Sequence, residues 1–177
     1  MLGQLTLVTG GAASGKSAYA EALAYAQHPA RLYTATSEAR DAEMKAKIAA
    51  HRARRGSGWD TLEAPLDLAP ALARVAPGRV VLVDCATMWL SNRVARRPHI
   101  APASEALIEA LHGCAAPVLV VTNELGQGVV PNNPTARAFR QVHGEMNQRL
   151  AAEADLVVAV MSGLPFALKG TLPEIGS

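Results

Sequence analysis

Aromatic side chains are scarce in this 177-residue chain, which has two Phe, two Trp and three Tyr. Ala, Leu and Val must therefore fill most of its core. Cysteine is scarcer still. Cys85 and Cys114 are the only two, which excludes a disulfide framework and a cysteine-built zinc site. Cys85 closes an apolar strand-like run and Cys114 lies near a helix end, so both are expected to be buried free thiols, as suits a reducing cytoplasm. No apolar stretch approaches the roughly 20 residues that span a bilayer, and the start lacks the basic opening and apolar run of a secretory signal. An excess of one charge is also missing: 17 Lys+Arg stand against 15 Asp+Glu, without a long basic block to call for nucleic acid. The expectation is a soluble cytoplasmic protein with neither a membrane nor a nucleic-acid partner.

What is present is a globular composition, 50% hydrophobic and 18% charged, of a length that favours one domain over residues 1–177. Short apolar runs read as strands at Leu5–Thr9, Arg31–Thr36, Trp59–Glu63, Val80–Asp84, Val118–Thr122 and Leu156–Met161. Helical stretches alternate with them at Lys16–Gln27, Asp41–Arg54, Leu66–Val75, from near Thr87, Ser104–Cys114 and Thr135–Ala154. Arg93–Pro102 and Gly126–Pro134 read as loops, and the tail from Leu164 is left unassigned. Strands apolar on both faces, alternating with helices, predict an α/β fold with a mainly parallel sheet flanked by helices. In such sheets ligands bind beyond the carboxyl ends of the strands. The polar groups cluster there: the loop after Thr9, Thr36–Ser37, Asp84 and Asn123–Glu124.

The run Gly10-Gly11-Ala12-Ala13-Ser14-Gly15-Lys16-Ser17 fits the phosphate-binding loop G-x-x-x-x-G-K-[ST]. Its glycines let backbone N–H groups converge on phosphate oxygens, and the helix that follows points its positive end at the same place. Lys16 would reach the β- and γ-phosphates, and Ser17 would ligand Mg²⁺. Asp84, at the end of an apolar strand, is placed to hold the same ion directly or through water; a turn or helix-capping role is the alternative.

Of five histidines, only His51 has a readable context. It falls three residues after Ile48 and seven after Met44, on one helical face, within a basic segment carrying Lys45, Lys47, Arg52, Arg54 and Arg55. An imidazole can attack an α-phosphate to form a phosphoramidate, with nearby cations stabilising the transferring group. Spacing alone leaves open a histidine merely packed beside apolar neighbours, and a basic run that is a solvated face.

Taken together, these motifs resemble the bifunctional adenosylcobinamide kinase/adenosylcobinamide-phosphate guanylyltransferase family of cobalamin biosynthesis. The matching pieces run through nearly the whole chain: Val8–Ala12 into Ser14–Ser17, Tyr33–Thr36, Glu43-Met44 with Ile48 and His51, and Asp84-Cys85 with Thr87, Trp89, Leu90, Ser91 and Asn92. Further on come Val121–Glu124 with Gly126, Gly128 and Val130-Pro131, then Arg137, Phe139-Arg140, Gly144 and Asn147-Gln148. The resemblance implies a RecA-like P-loop NTPase fold, a homotrimer, and two reactions. One phosphorylates adenosylcobinamide with ATP or GTP. The other moves GMP from GTP onto a histidine, here His51, and on to the cobinamide phosphate.

Other roles follow from the same resemblance. Thr36 and Ser37 match a nucleotide-contacting segment, Arg52, Arg54 and Arg55 would clamp phosphates, and Glu63 would accept from guanine. Asn123 and Glu124 would position substrate or metal. Two positions depart from the family: Ala13, where an Arg is usual, and Gln141, where Asp is favoured. The rival readings are a small P-loop kinase without a covalent step and a nucleotide-binding subunit without turnover.

Overall fold

The computed structural model describes residues 3–38, 42–96 and 101–175. The elements alternate in chain order as β1 (Leu5–Gly10), α1 (Lys16–Gln27), β2 (Arg31–Ala35), α2 (Ala42–Arg55), β3 (Trp59–Glu63), α3 (Leu68–Leu72), β4 (Val80–Asp84), α4 (Ala86–Arg96), α5 (Ala101–Gly113), β5 (Val118–Asn123), α6 (Pro134–Glu153), β6 (Leu156–Met161) and β7 (Leu164–Lys169). One seven-stranded sheet results, ordered β3-β2-β4-β5-β1-β6-β7. All pairings are parallel except β6 with β7. The expected α/β architecture is therefore observed.

Alternation along the central strands builds two cores. One face carries Leu5, Leu7, Val81, Val83, Val118 and Val120 under Leu68 and Leu72 of α3, Leu90 of α4, Leu107 and Leu111 of α5, and Met146 and Leu150 of α6. The other carries Val8, Leu82, Leu119, Val121 and Val158 under Ala20, Leu23 and Ala24 of α1. The small residues of α1 let it lie close on β1, which places its N-terminus at the end of that strand. Cys85 and Cys114 are buried free thiols.

Three assignments shift. α3 is shorter than the expected 66–75 stretch and starts at Leu68, so Pro70 falls in the first turn, where its missing N–H leaves no bond unmade. The expected loop at 93–102 is partly helical. Val94 packs on the core with Trp89 and Leu90, carrying α4 to Arg96, and α5 starts at Ala101 with Pro102 in its first turn. The tail forms β7, antiparallel to β6. Ser162 and Gly163 between them have φ of 54° and 80°, both left-handed, as a tight two-residue hairpin requires.

Candidate active site

The phosphate loop is a strand-to-helix turn with backbone geometry suited to anions. Gly15 caps α1 at φ 94°, with no side chain capping the helix. The first N–H groups of α1 are thus left for a ligand, at the helix's positive end. Gly10 has to be glycine. A Cβ there would meet Ser14 Oγ and the Val160 carbonyl oxygen, each at 2.5 Å. The β6–β7 turn backs the loop through Gly163 N–H donating to Ser14 O at 2.8 Å. Ser14 Oγ is buried with no hydrogen-bond partner among the described residues. Ala13 adopts φ 56°, a left-handed conformation that costs an L-residue about 1 kcal/mol.

Lys16 curls back over the loop, its Nζ donating to Gly11 O at 3.0 Å. Burial lowers its pKa, against the opposing pull of the nearby Asp84 carboxylate. Ser17 hydrogen-bonds Asp84, whose carboxyl is pushed up from the usual range by burial first, against the pull of His51 and of the Ser17 and Tyr33 hydroxyls. Tyr33 donates to Asp84 Oδ2 at 3.3 Å. His51 Nδ1 lies 4.0 Å from the same oxygen, with its side chain 39% exposed. Ser17 at the start of α1, a strand-end carboxylate and the histidine of α2 therefore meet at one point, although β5 separates β4 from β1 in the sheet.

A desolvated carboxylate beside a hydroxyl suits a hard divalent cation, which takes oxygen ligands and completes its shell with phosphate oxygens and water. Among the described residues no cluster of three or more His, Cys, Asp or Glu forms a protein-only metal cage. Cys85, next in the chain, is not activated as a nucleophile. Burial, then the charge of Asp84, pushes its thiol up to about 11, which leaves little thiolate at neutral pH.

The remaining predicted residues occupy different places. Thr36 is fully buried; its Oγ1 donates to Cys85 O and accepts from Cys85 N, both at 2.7 Å. Its hydroxyl thus holds the turn that carries Asp84. Ser37 is half-buried beside it, and Arg52 is exposed on α2. The Arg54 side chain lies outside the described residues. Arg55 is 6% exposed, and its guanidinium carbon sits 3.3 Å over the Tyr33 ring. Its Nη1 has no hydrogen-bond partner among the described residues. Glu63 ends β3, in register with Ala35, which also pairs with Asp84. Two strand spacings, about 10 Å, therefore separate Glu63 from Asp84. A groove of about 760 Å³ opens from Glu63 along Leu62, Pro65, Leu66 and Arg74; no residue of the phosphate loop lines it.

Sequence reasoning missed Tyr33 and Asn92 as supports. Asn92 Nδ2 donates to Thr36 O at 2.8 Å, tying α4 to the same turn. It also missed His143, whose partners come from β5 and α4. The only available signal was the three- and four-residue spacing of Arg140, His143 and Asn147 on α6.

Residues 6–168 match the family described as cobinamide kinase / cobinamide phosphate guanyltransferase. The chain is 42% identical over 167 residues to a bifunctional adenosylcobalamin biosynthesis protein, CobP, of Pseudomonas aeruginosa, spanning 93% of this chain and 96% of the relative. It is 40% identical over 181 residues to the similarly described CobU of Salmonella typhimurium, spanning 93% and 99%. Among solved structures, the RadB recombinase superposes with a TM-score of 0.52 at 17% identity, over 88% of this chain and 73% of that one. At that identity the likeness concerns the fold alone, which is that of the P-loop NTPases.

Proposed function

The chain belongs to the cobinamide kinase / cobinamide phosphate guanyltransferase family, and from that membership we propose that one cleft serves both reactions, with His51 as the residue that carries GMP. The enzyme is a kinase and guanylyltransferase of cobalamin biosynthesis. The finer reading concerns substrates and residues. In the first reaction ATP or GTP phosphorylates the hydroxyl of adenosylcobinamide. Gly10–Ser17 cradles the triphosphate, and Lys16 neutralises its outer phosphates. Ser17 and Asp84 are the residues that would hold Mg²⁺, which supplies positive charge to the phosphoryl oxygens.

In the second reaction a ring nitrogen of His51 bonds to the α-phosphorus of GTP and the bond to the β-phosphate oxygen breaks, releasing pyrophosphate. A phosphate oxygen of adenosylcobinamide phosphate then bonds to that phosphorus, and the P–N bond breaks. The product is adenosyl-GDP-cobinamide. Glu63, about 10 Å from Asp84, would accept from the guanine N1–H and exocyclic amine while the α-phosphate sits at His51. Arg52 and Arg54 would face the phosphates, whereas Arg55, buried against Tyr33, would act on them only through that ring. The observation that carries this reading is the 4.0 Å approach of His51 Nδ1 to Asp84 Oδ2.

The protein acts in the cytoplasm as a homotrimer. Its free buried thiols support the compartment. Leu164 and Leu168, 70% and 62% exposed on the edge strand β7, support association. Among the described residues no helix is long and apolar enough to cross a membrane.

The test is incubation with Mg²⁺ and GTP labelled at the α-phosphate. An acid-labile, base-stable GMP adduct is expected, and it disappears in His51→Ala. An unchanged adduct in that variant, or none in the native protein, removes the covalent step. A plain kinase would still transfer the γ-phosphate.

A further inference from the structure

The sheet order puts β5 between the strand that carries the phosphate loop and the strand that ends in Asp84. The first carboxylate beyond the end of β5 is Glu124, half-buried. Its N–H donates to Gly10 O at 2.9 Å, so its main chain is bonded to the first residue of the cradle. One carboxylate oxygen, Oε1, accepts from Gly126 N at 2.6 Å. The other has no hydrogen-bond partner among the described residues.

Behind this turn lies a buried network that neither reaction has called on. His143 is 1% exposed, with Nε2 2.9 Å from Thr87 Oγ1 and 3.4 Å from Thr122 Oγ1. Thr87 Oγ1 accepts from Asn123 N at 2.8 Å and lies 3.3 Å from Thr122 Oγ1. Thr122 donates to Asn147 Oδ1 at 2.8 Å, and Asn147 Nδ2 donates to Asn123 O at 3.0 Å. His143 Nε2 is thereby joined to both threonine hydroxyls and, through Thr87, to the main chain of Asn123. Burial lowers the His143 pKa, which keeps the ring neutral. Both backbone groups of Asn123, the residue before Glu124, are thus held by side chains of α4 and α6. From the other side Arg140 donates to the carbonyls of Gly126, Gly128 and Val129. A link between strand and helix does not need this much support. A carboxylate that must be aimed does, because a reacting group is only as well placed as the shell around it.

We infer that Glu124 is the base that receives the acceptor's hydroxyl proton in the kinase reaction, and that His143 is the positioning residue that holds it there. This inference rests on the kinase reading above. The hydroxyl oxygen bonds to the γ-phosphorus, the bond from that phosphorus to the bridging oxygen breaks, the nucleoside diphosphate leaves, and the proton passes to the free oxygen of Glu124 and on to solvent. Guanylylation of His51 involves no hydroxyl nucleophile, so it needs no base at Glu124. The two reactions of one protein therefore separate the proposal from the reading beneath it.

The experiment measures both in the same preparations: phosphorylation of adenosylcobinamide by γ-labelled ATP, and GMP adduct formation from α-labelled GTP. Glu124→Gln is expected to lower the kinase kcat by about 10²–10⁴-fold, a loss far larger than any change in the rate of adduct formation. Added formate should partly restore kcat in Glu124→Ala. His143→Ala should lower the same kcat, and His143→Gln, whose amide can bond Thr87, should recover much of it. A near-native kinase kcat in Glu124→Gln, or loss of the adduct in step with kinase activity, would overturn the proposal. Absence of γ-phosphate transfer to adenosylcobinamide by the native protein would instead overturn the kinase reading on which it rests, and the proposal with it.

Discussion

His51 Nδ1 approaches Asp84 Oδ2 to 4.0 Å across two elements that are not neighbours in the chain. The carboxylate is buried, and burial is the largest influence on its pKa, which is raised. An acid whose folded pKa lies above its unfolded one costs stability once ionised, and that cost is relieved as pH falls through the folded value. Asp84→Asn is therefore expected to melt no lower than the native protein when both lack nucleotide at neutral pH, with any advantage shrinking as the buffer is acidified. Both transfer reactions should be lost in the same variant. Thermal melts across pH, beside activity assays, check the two halves.

His143 runs the other way. Its folded pKa is depressed by burial, so the folded state binds a proton less readily than the unfolded state. The stability it contributes is complete above the unfolded value of about 6.5 and is lost as pH falls below it. Glu124 is the charge that opposes this depression. Unfolding by urea at several pH values should show a decline through this window that is shallower in His143→Gln.

Gly10→Ala tests the closeness of the cradle. The added Cβ would meet the Val160 carbonyl at 2.5 Å, and a backbone atom of a central strand yields little. Overpacking of this kind costs about 1–3 kcal/mol. Loss of ATP and GTP binding is expected in titration calorimetry, together with a lowered melting temperature.

Ala13 and Gln141 are both departures from the family pattern, and their positions predict unequal consequences. Ala13 is exposed within the phosphate loop, whereas Gln141 is exposed on α6 and donates to Glu145 at 2.7 Å. Ala13→Arg should tighten triphosphate binding by up to about tenfold through a charge-assisted hydrogen bond. Gln141→Asp should leave both activities within twofold of native, an estimate drawn from the usual neutrality of surface changes. Affinities and steady-state rates for the pair decide this.

Much of the fold was legible because its signals are local. β1, β4 and β5 are short apolar runs bounded by turn residues, and Gly15-Lys16-Ser17 announces the helix that follows. β7 was not legible. Leu164, Phe166 and Leu168 are exposed on one edge, so they lack the alternation of a half-buried strand, and only the Ser162–Gly163 turn marks the hairpin. The reach of α3 was overread because Pro70 is tolerated in a first turn.

Sequence by itself determined the chemistry available to this protein: the phosphate loop, the strand-end Asp84, the histidine in a basic helix and the family to which they belong. These are covalent facts of residue type and spacing. Only the tertiary structure decided which of them meet. It spent the Thr36 hydroxyl on Cys85, buried Arg55 against Tyr33, brought His51 to Asp84, and set His143 behind Glu124. Such pairings depend on strand order and helix packing, which join residues far apart in the chain and leave no periodic trace along it.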